Sequence, residues 1–152
     1  MKIIHIGISL LVAATVILSA CGGAGGPAAK KGGNSTITDG VMTTAVDNDS
    51  KPTGPVATSF ITSTPAIYCS FKVAGVVPED MIKASWYYIK GEAAGKENEL
   101  LNETFTIAES DTPSYYLAFY LDKPVSGWYK GDYKVVLSVN SVEKLSVPFS
   151  IK

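Results

Sequence analysis

The chain has 152 residues, enough for one domain and short for two, and its 13 lysines nearly balance 14 acidic residues. It has no arginine, so it lacks both the clustered cations that hold phosphate backbones and the planar fork that grips carboxylates two-handed. Nucleic acid is therefore not an expected partner.

The chain opens with Met1, Lys2, Ile3, Ile4 and His5, then runs uncharged and mostly apolar from Ile6 to Leu18. A positive first turn before such a run is the build of a secretory signal. The run falls short of the ~20 residues that a spanning helix needs. It closes on Leu18-Ser19-Ala20-Cys21, which resembles the lipobox of bacterial lipoproteins. That resemblance implies cleavage before Cys21, leaving residues 1–20 as a signal peptide. It also implies a diacylglycerol on the Cys21 sulfur, with a further acyl chain commonly added to the new amino group. Two or three acyl chains hold a protein stably on a bilayer, whereas one alone binds marginally. The expected partner is thus a membrane, reached through lipidated Cys21. The expected location is the cell membrane or outer membrane, facing the periplasm or exterior.

Residues 21–56 are rich in Gly, Ala, Ser, Thr and Pro and show neither strand nor helix periodicity. This is linker composition, and a flexible coil of that length would span ~30 Å. Asp47-Asn48-Asp49-Ser50 could begin a calcium loop, but Lys51 stands at its fifth position and no Gly at its sixth. A solvated stretch of linker is the simpler expectation.

All of the aromatic residues fall between Phe60 and Phe149, so residues 57–152 are expected to form the folded domain. Here the pattern alternates. Ile67, Cys69, Phe71 and Val73 share one face, with Tyr68, Ser70 and Lys72 on the other. The sets Ile82, Ala84, Trp86, Tyr88 and Leu101, Phe105, Ile107 are expected to point inward in the same way. So are Tyr115, Leu117, Phe119, Leu121 and then Tyr133, Val135, Leu137, Val139, followed by Leu145, Val147, Phe149, Ile151. Half-buried antiparallel strands produce this period of two. With a short first strand near Phe60–Thr62, the expectation is an all-β, seven-stranded antiparallel sandwich. In the last hairpin, pairing Leu137 with Leu145, Val135 with Val147 and Tyr133 with Phe149 keeps the apolar residues on one face. This predicts an odd-length loop centred on Ser141. It also turns Pro148 outward, as suits a strand at a sheet edge.

Cys69 on the second strand, Trp86 on the third, and the run from Gly127 to Val135 leading into the sixth together resemble an immunoglobulin-like domain of secreted bacterial proteins. The resemblance implies that Trp86 packs in the core and that Tyr133 ties down the preceding corner. The pattern departs from that family at the sixth strand, which has no second cysteine, so no inter-sheet disulfide is expected.

Few residues offer catalytic chemistry. Cys69 alternates with core residues, and His5 is the one histidine. A reactive thiol, a Ser-His-Asp triad and a zinc site all lack a partner, so no catalytic residue, metal or cofactor is expected. The acids Glu79-Asp80, Glu109 and Asp111 sit beside prolines, in turns where acids are usually solvated. Tyr87, Tyr116 and Tyr120 are expected to point outward, with Tyr87 and Tyr116 on different sheets. The connection from Asp122 to Gly131 carries Trp128 and Tyr129. These two rings either anchor a glycan or protein partner or fold back to cap the core beneath Tyr133. The reading is a lipid-anchored envelope protein whose sandwich is a non-enzymatic binding or assembly module. The alternatives are a small glycan-active enzyme and a purely structural lipoprotein.

Overall fold

The computed structural model describes residues 34–152. The signal segment, Cys21 and the first part of the expected linker lie outside the described residues. The described chain is all-β, with strands β1 (Thr36–Thr43), β2 (Ser59–Phe60), β3 (Ala66–Ala74), β4 (Met81–Gly91), β5 (Glu99–Ile107), β6 (Ser114–Asp122), β7 (Gly131–Val139) and β8 (Val142–Ile151). They form a three-stranded sheet in the order β1-β3-β6 and a five-stranded sheet in the order β2-β8-β7-β4-β5. The inward faces of both sheets supply one apolar core, as in a β-sandwich.

Four strands follow the alternation in the sequence closely. Ile67, Cys69, Phe71 and Val73 of β3 are buried, as are Ile82, Ala84, Trp86 and Tyr88 of β4. On β7, Tyr133, Val135, Leu137 and Val139 are buried, and Phe149 and Ile151 of β8 join them. Opposite β3, Leu117 and Phe119 of β6 are half-buried against the same core.

The strand count and the linker boundary both need correction. There are eight strands among the described residues, and the added one is β1, inside the segment expected to be a tether. Ile37 and Met42 of β1 are both buried, yet they lie an odd number of positions apart, so a period of two cannot link them. A bulge reconciles them: the register jumps from Thr38↔Lys72 to Val41↔Ser70, and Asp39 takes a φ of 55°. The extra residue resets which side chains face inward. The bulge also brings Gly40 against β8, where a Cβ would stand 2.5 Å from Leu145 Cδ2 and 2.8 Å from Val147 Cγ2. One pairing also departs from the antiparallel expectation, because β2 runs parallel to β8 at Ser59↔Ser150 and Phe60↔Ile151.

A second bulge corrects the inward set on β5. Its register shifts opposite Trp86 and Tyr87, with Leu101 as the extra residue. Leu101 still packs on the core. Beyond it, Phe105 pairs with Lys83 and Ile107 with Met81, so both point away from the core, and Phe105 is 64% exposed. A shift of one residue exchanges the two faces of a strand.

The last hairpin keeps the expected pairs Leu137↔Leu145, Val135↔Val147 and Tyr133↔Phe149. Its loop, however, is not odd-length. Asn140 and Ser141, with φ of 50° and 68°, form a two-residue turn between Val139 and Val142. Such paired positive φ values are those of a type I′ turn. The register is recovered by a shift between Leu137 and Ser138, so a bulge absorbs the odd residue that the loop was expected to hold. Pro148, paired with Lys134, is exposed.

The ordering of β1 has a direct test. Met42 is 1% exposed, so Met42→Ala should lower unfolding stability by ~2–5 kcal/mol in a denaturant melt. A midpoint that does not move would return this segment to the status of a tether.

Candidate binding cleft

The outer face of the three-stranded sheet is built by the residues that alternate with its core set. Across β3 and β6 the outward pairs are Tyr68↔Tyr120, Ser70↔Ala118 and Lys72↔Tyr116. The Tyr68 and Tyr120 rings lie 5.4 Å apart. The small central pair leaves a shallow place between those rings and Tyr116.

The connection from β1 to β2 folds over that place. Val46 and Pro52 form an isolated bridge, and the loop between them closes on Asp47, whose carboxylate accepts the amide N–H of Asp49 at 2.9 Å and of Lys51 at 2.8 Å. Asp47, the first acid of the suggested calcium loop, is therefore a turn-former, as short Asx side chains often are. Ser70, fully buried beneath the loop, donates its hydroxyl to the Ser50 carbonyl at 2.6 Å. The Lys51 ammonium stands 5.8 Å from the centre of the Tyr116 ring.

Between this loop and the start of β6 lies a cleft of about 530 Å³, lined chiefly by Asn48, Asp49, Lys51, Lys72, Ser114 and Tyr116. Two ammonium groups supply donors, one carboxylate supplies acceptors, and the amide and hydroxyl supply both. Among the described residues Asp49 is the one carboxylate on its wall, whereas hydrolysis by paired carboxylates needs two at a set separation. The arrangement can hold a polar ligand beside a ring.

The rings singled out in the sequence lie elsewhere. Trp128 is buried, and its indole N–H donates to the Thr64 carbonyl at 2.7 Å. It stands edge-on to Tyr133 with centroids 6.1 Å apart. Tyr129 is half-buried with its ring against Tyr88, and its carbonyl accepts the Tyr133 hydroxyl at 2.6 Å. Of the two readings open for this loop, Trp128 follows the cap. A buried indole offers no platform to a partner. Tyr87, Tyr116 and Tyr120 do point outward, Tyr87 on the five-stranded sheet under Lys134 and the other two on the three-stranded sheet. Cys69 is fully buried, and burial pushes its thiol up to about 12. Asp80 corrects the expectation of solvated turn acids. It is 1% exposed, and its carboxylate accepts the Val77 amide at 2.9 Å and the Asn140 side-chain amide at 2.6 Å. It thereby ties the β3–β4 turn to the β7–β8 turn.

Sequence reasoning missed Lys51 and Ser50 as parts of a site because their segment had been read as linker. The available signal was Asp47 within a run of turn-formers, followed by a proline at 52. Nothing local could show that this turn would fold onto Ser70.

No family model matches the chain, and no curated protein matches it. Among solved structures, Pseudomonas fluorescens alkylpurine DNA glycosylase AlkC, bound to DNA containing an abasic site analog, matches with a TM-score of 0.53 at 12% identity. The match covers 79% of this chain and 31% of that chain. The Bifidobacterium adolescentis GH3 beta-glucosidase matches with a TM-score of 0.44 at 14% identity, over 78% of this chain and 17% of that one. This chain thus spans less than a third of either protein's length. The first likeness speaks to fold alone, and the second is too slight to carry an argument.

Two outcomes check the cap and the buried phenol. Trp128→Ala should cost ~3–5 kcal/mol of stability, as large aromatic truncations in cores do. The second is a pH dependence. Burial pushes the Tyr133 phenol up to about 12 and Cys69 as far, so the folded state keeps protons that the unfolded chain gives up from about pH 8.5 for a thiol and pH 10 for a phenol. Their contribution is complete below about pH 8.5 and is lost as pH rises toward 12. Urea midpoints measured from pH 7 to 12 should fall across that window. Tyr133→Phe together with Cys69→Ala should flatten the decline.

Proposed function

We propose that this protein is a lipid-anchored envelope lipoprotein whose immunoglobulin-like sandwich binds rather than catalyses, and that the cleft beside Tyr116 takes a glycan. The anchor rests on Leu18-Ser19-Ala20-Cys21 closing an apolar run. With β1 starting at Thr36, only residues 22–35 separate the lipid-bearing Cys21 from the folded domain. Whatever path those 14 residues (35 − 21) take, their extended reach is at most ~50 Å, so the domain works close to the bilayer.

The immunoglobulin-like assignment is supported by two side chains. Trp86 sits buried in the middle of β4. Tyr133, near the start of β7, returns its hydroxyl to a carbonyl four residues upstream, the bond that marks the corner before the sixth strand in that fold. β1 pairs with β3 at one edge of the smaller sheet, and the Trp and Tyr strands, β4 and β7, are adjacent in the five-stranded sheet. Cys69, free and buried, leaves the sheets without the usual disulfide between them.

The observation that carries the functional reading is the composition of the cleft wall. Sugars present hydroxyls that donate and accept at once, with apolar C–H faces between them. Lys51, Lys72, Asp49 and Ser114 around the Tyr116 ring supply the complementary set. A wall with one carboxylate, and a thiol held protonated by burial, support holding a ligand over cleaving it.

Two measurements test this reading separately. Mass spectrometry of the mature amino terminus should find a diacylated Cys21. An unmodified cysteine, or a chain still starting at Met1, sinks the anchor. Retention of the full-length, detergent-solubilised protein on envelope polysaccharide should be lost in Tyr116→Ala. Because that ring stands on an outer face, the melting temperature should barely move, as surface changes usually stay within ±0.5 kcal/mol. Undiminished retention would remove the cleft from the account.

A further inference from the structure

We propose that the free edge of β5 is a docking strand for an extended segment of a partner protein, one that alternates apolar and basic side chains. This inference is independent of the glycan reading. β5 closes one side of the five-stranded sheet and, among the described residues, is bonded to β4 alone. An edge strand presents unpaired N–H and C=O groups that template a further strand, and native sheets blunt such edges by shortness, bulges or cover.

The other edges of this sandwich are blunted in those ways. β2 has two residues, the stretch of β8 that it leaves open carries Pro148, and β1 is bent by its bulge at Asp39 and Gly40. Tyr115–Phe119 of β6 are all half-buried. β5 carries a bulge too, at Leu101, but the run beyond it is left open. The strand is nine residues long, and from Asn102 to Ile107 it pairs regularly with β4. Leu100, Phe105 and Ile107 are 47%, 64% and 44% exposed along its outer row. Three large apolar side chains on an open edge are what a sheet without a partner avoids.

Charge selects the partner. Residues 97–111 carry Glu97, Glu99, Glu103, Glu109 and Asp111 and no lysine. Glu103 is engaged with Lys83 at 2.8 Å and with the Ser85 hydroxyl at 2.7 Å, and Glu99 with Lys96 at 3.2 Å. Glu97 stands just before the strand, and Glu109 and Asp111 just after it, ready to meet cations. A second copy pairing β5 to β5 would set this acidic stretch against itself, and like charges across a ladder are destabilising. A strand whose Val or Leu row meets Leu100, Phe105 and Ile107 carries its Lys row past Asn102 and Thr104, with its ends toward the carboxylates of Glu97, Glu109 and Asp111. In strand addition the backbone ladder supplies affinity and the alternating side chains supply selectivity.

The test uses the full-length mature protein in detergent micelles and a synthetic alternating Lys-Val decapeptide. Binding should perturb the amide resonances of residues 99–107 first and should weaken with added salt. An alternating Glu-Val peptide should not bind. Phe105→Lys, which alters an exposed position and should leave the melting temperature in place, should weaken binding about fivefold or more. The decisive control is a Lys-Val peptide N-methylated at every amide, which keeps its charge but can donate to a ladder from neither edge. Equal binding by that peptide would mean adhesion of charge alone and would overturn the proposal, as would resonance changes that map away from β5. Self-association of the protein without peptide, abolished by Phe105→Lys, would make a second copy the occupant and overturn it too.

Discussion

The ring of Phe149 ties together the strands of the larger sheet. It stacks on Tyr133 at 5.2 Å and meets Trp86 and Phe60 edge-on, each at 6.1 Å. Those four rings belong to β8, β7, β4 and β2, so four of the five strands in the larger sheet meet in one contact group. Tyr133 extends the group to Tyr88 at 5.1 Å and to Trp128. Aromatic pairs of this kind add ~0.5–1.5 kcal/mol each beyond the area they bury. Cys69, on β3 of the other sheet, is free, so apolar packing of this kind joins the strands without a covalent link. Apolar packing, unlike a covalent link, weakens wherever a cavity opens. Stability should therefore be most sensitive to truncation near this cluster.

How much of this was legible depends on how far each feature lies from the residues that decide it. A strand facing the core on one side writes its own period, so β3, β4, β7 and β8 could be read residue by residue. β1 could not, because its bulge breaks the alternation between Ile37 and Met42. β5 misled for a related reason: the bulge at Leu101 moves Phe105 and Ile107 from the expected inner face to the outer one. The last hairpin shows the limit most clearly. Hydrophobic matching fixed its pairs, but the same pairs are compatible with a three-residue loop or with a two-residue turn plus a bulge, and the Asn140-Ser141 backbone selects the second. Trp128 is settled by Thr64, far away in the chain, which takes its indole proton.

The cleft was hidden for a different reason. Tyr116 could be placed outward from its alternation, and Lys72 likewise, but neither position suggests a site by itself. The site exists because Ser70, in an outward position, is covered rather than solvated. A buried hydroxyl must find an acceptor, and the Ser50 carbonyl is the one it finds. That bond pins the Asp47–Lys51 turn over the sheet and sets Lys51 above Tyr116. A short polar side chain on the solvent face of a strand normally carries no information. Here it decides where a loop lies.

The two surfaces argued for binding use different parts of the sandwich. The cleft belongs to the three-stranded sheet and the loop that covers it, while the β5 edge belongs to the far side of the other sheet. Between them stands a close-packed interior that has no second arrangement in view, and coupling between sites needs an element with two states that both ligands bias. Occupancy of the cleft should then leave the edge unchanged, and the reverse. A module built this way gains from joining two partners at fixed spacing rather than from signalling between them. Fixed spacing between two bound partners is what a rigid sandwich would supply without moving parts, and on the proposed lipid anchor it would hold them near the membrane.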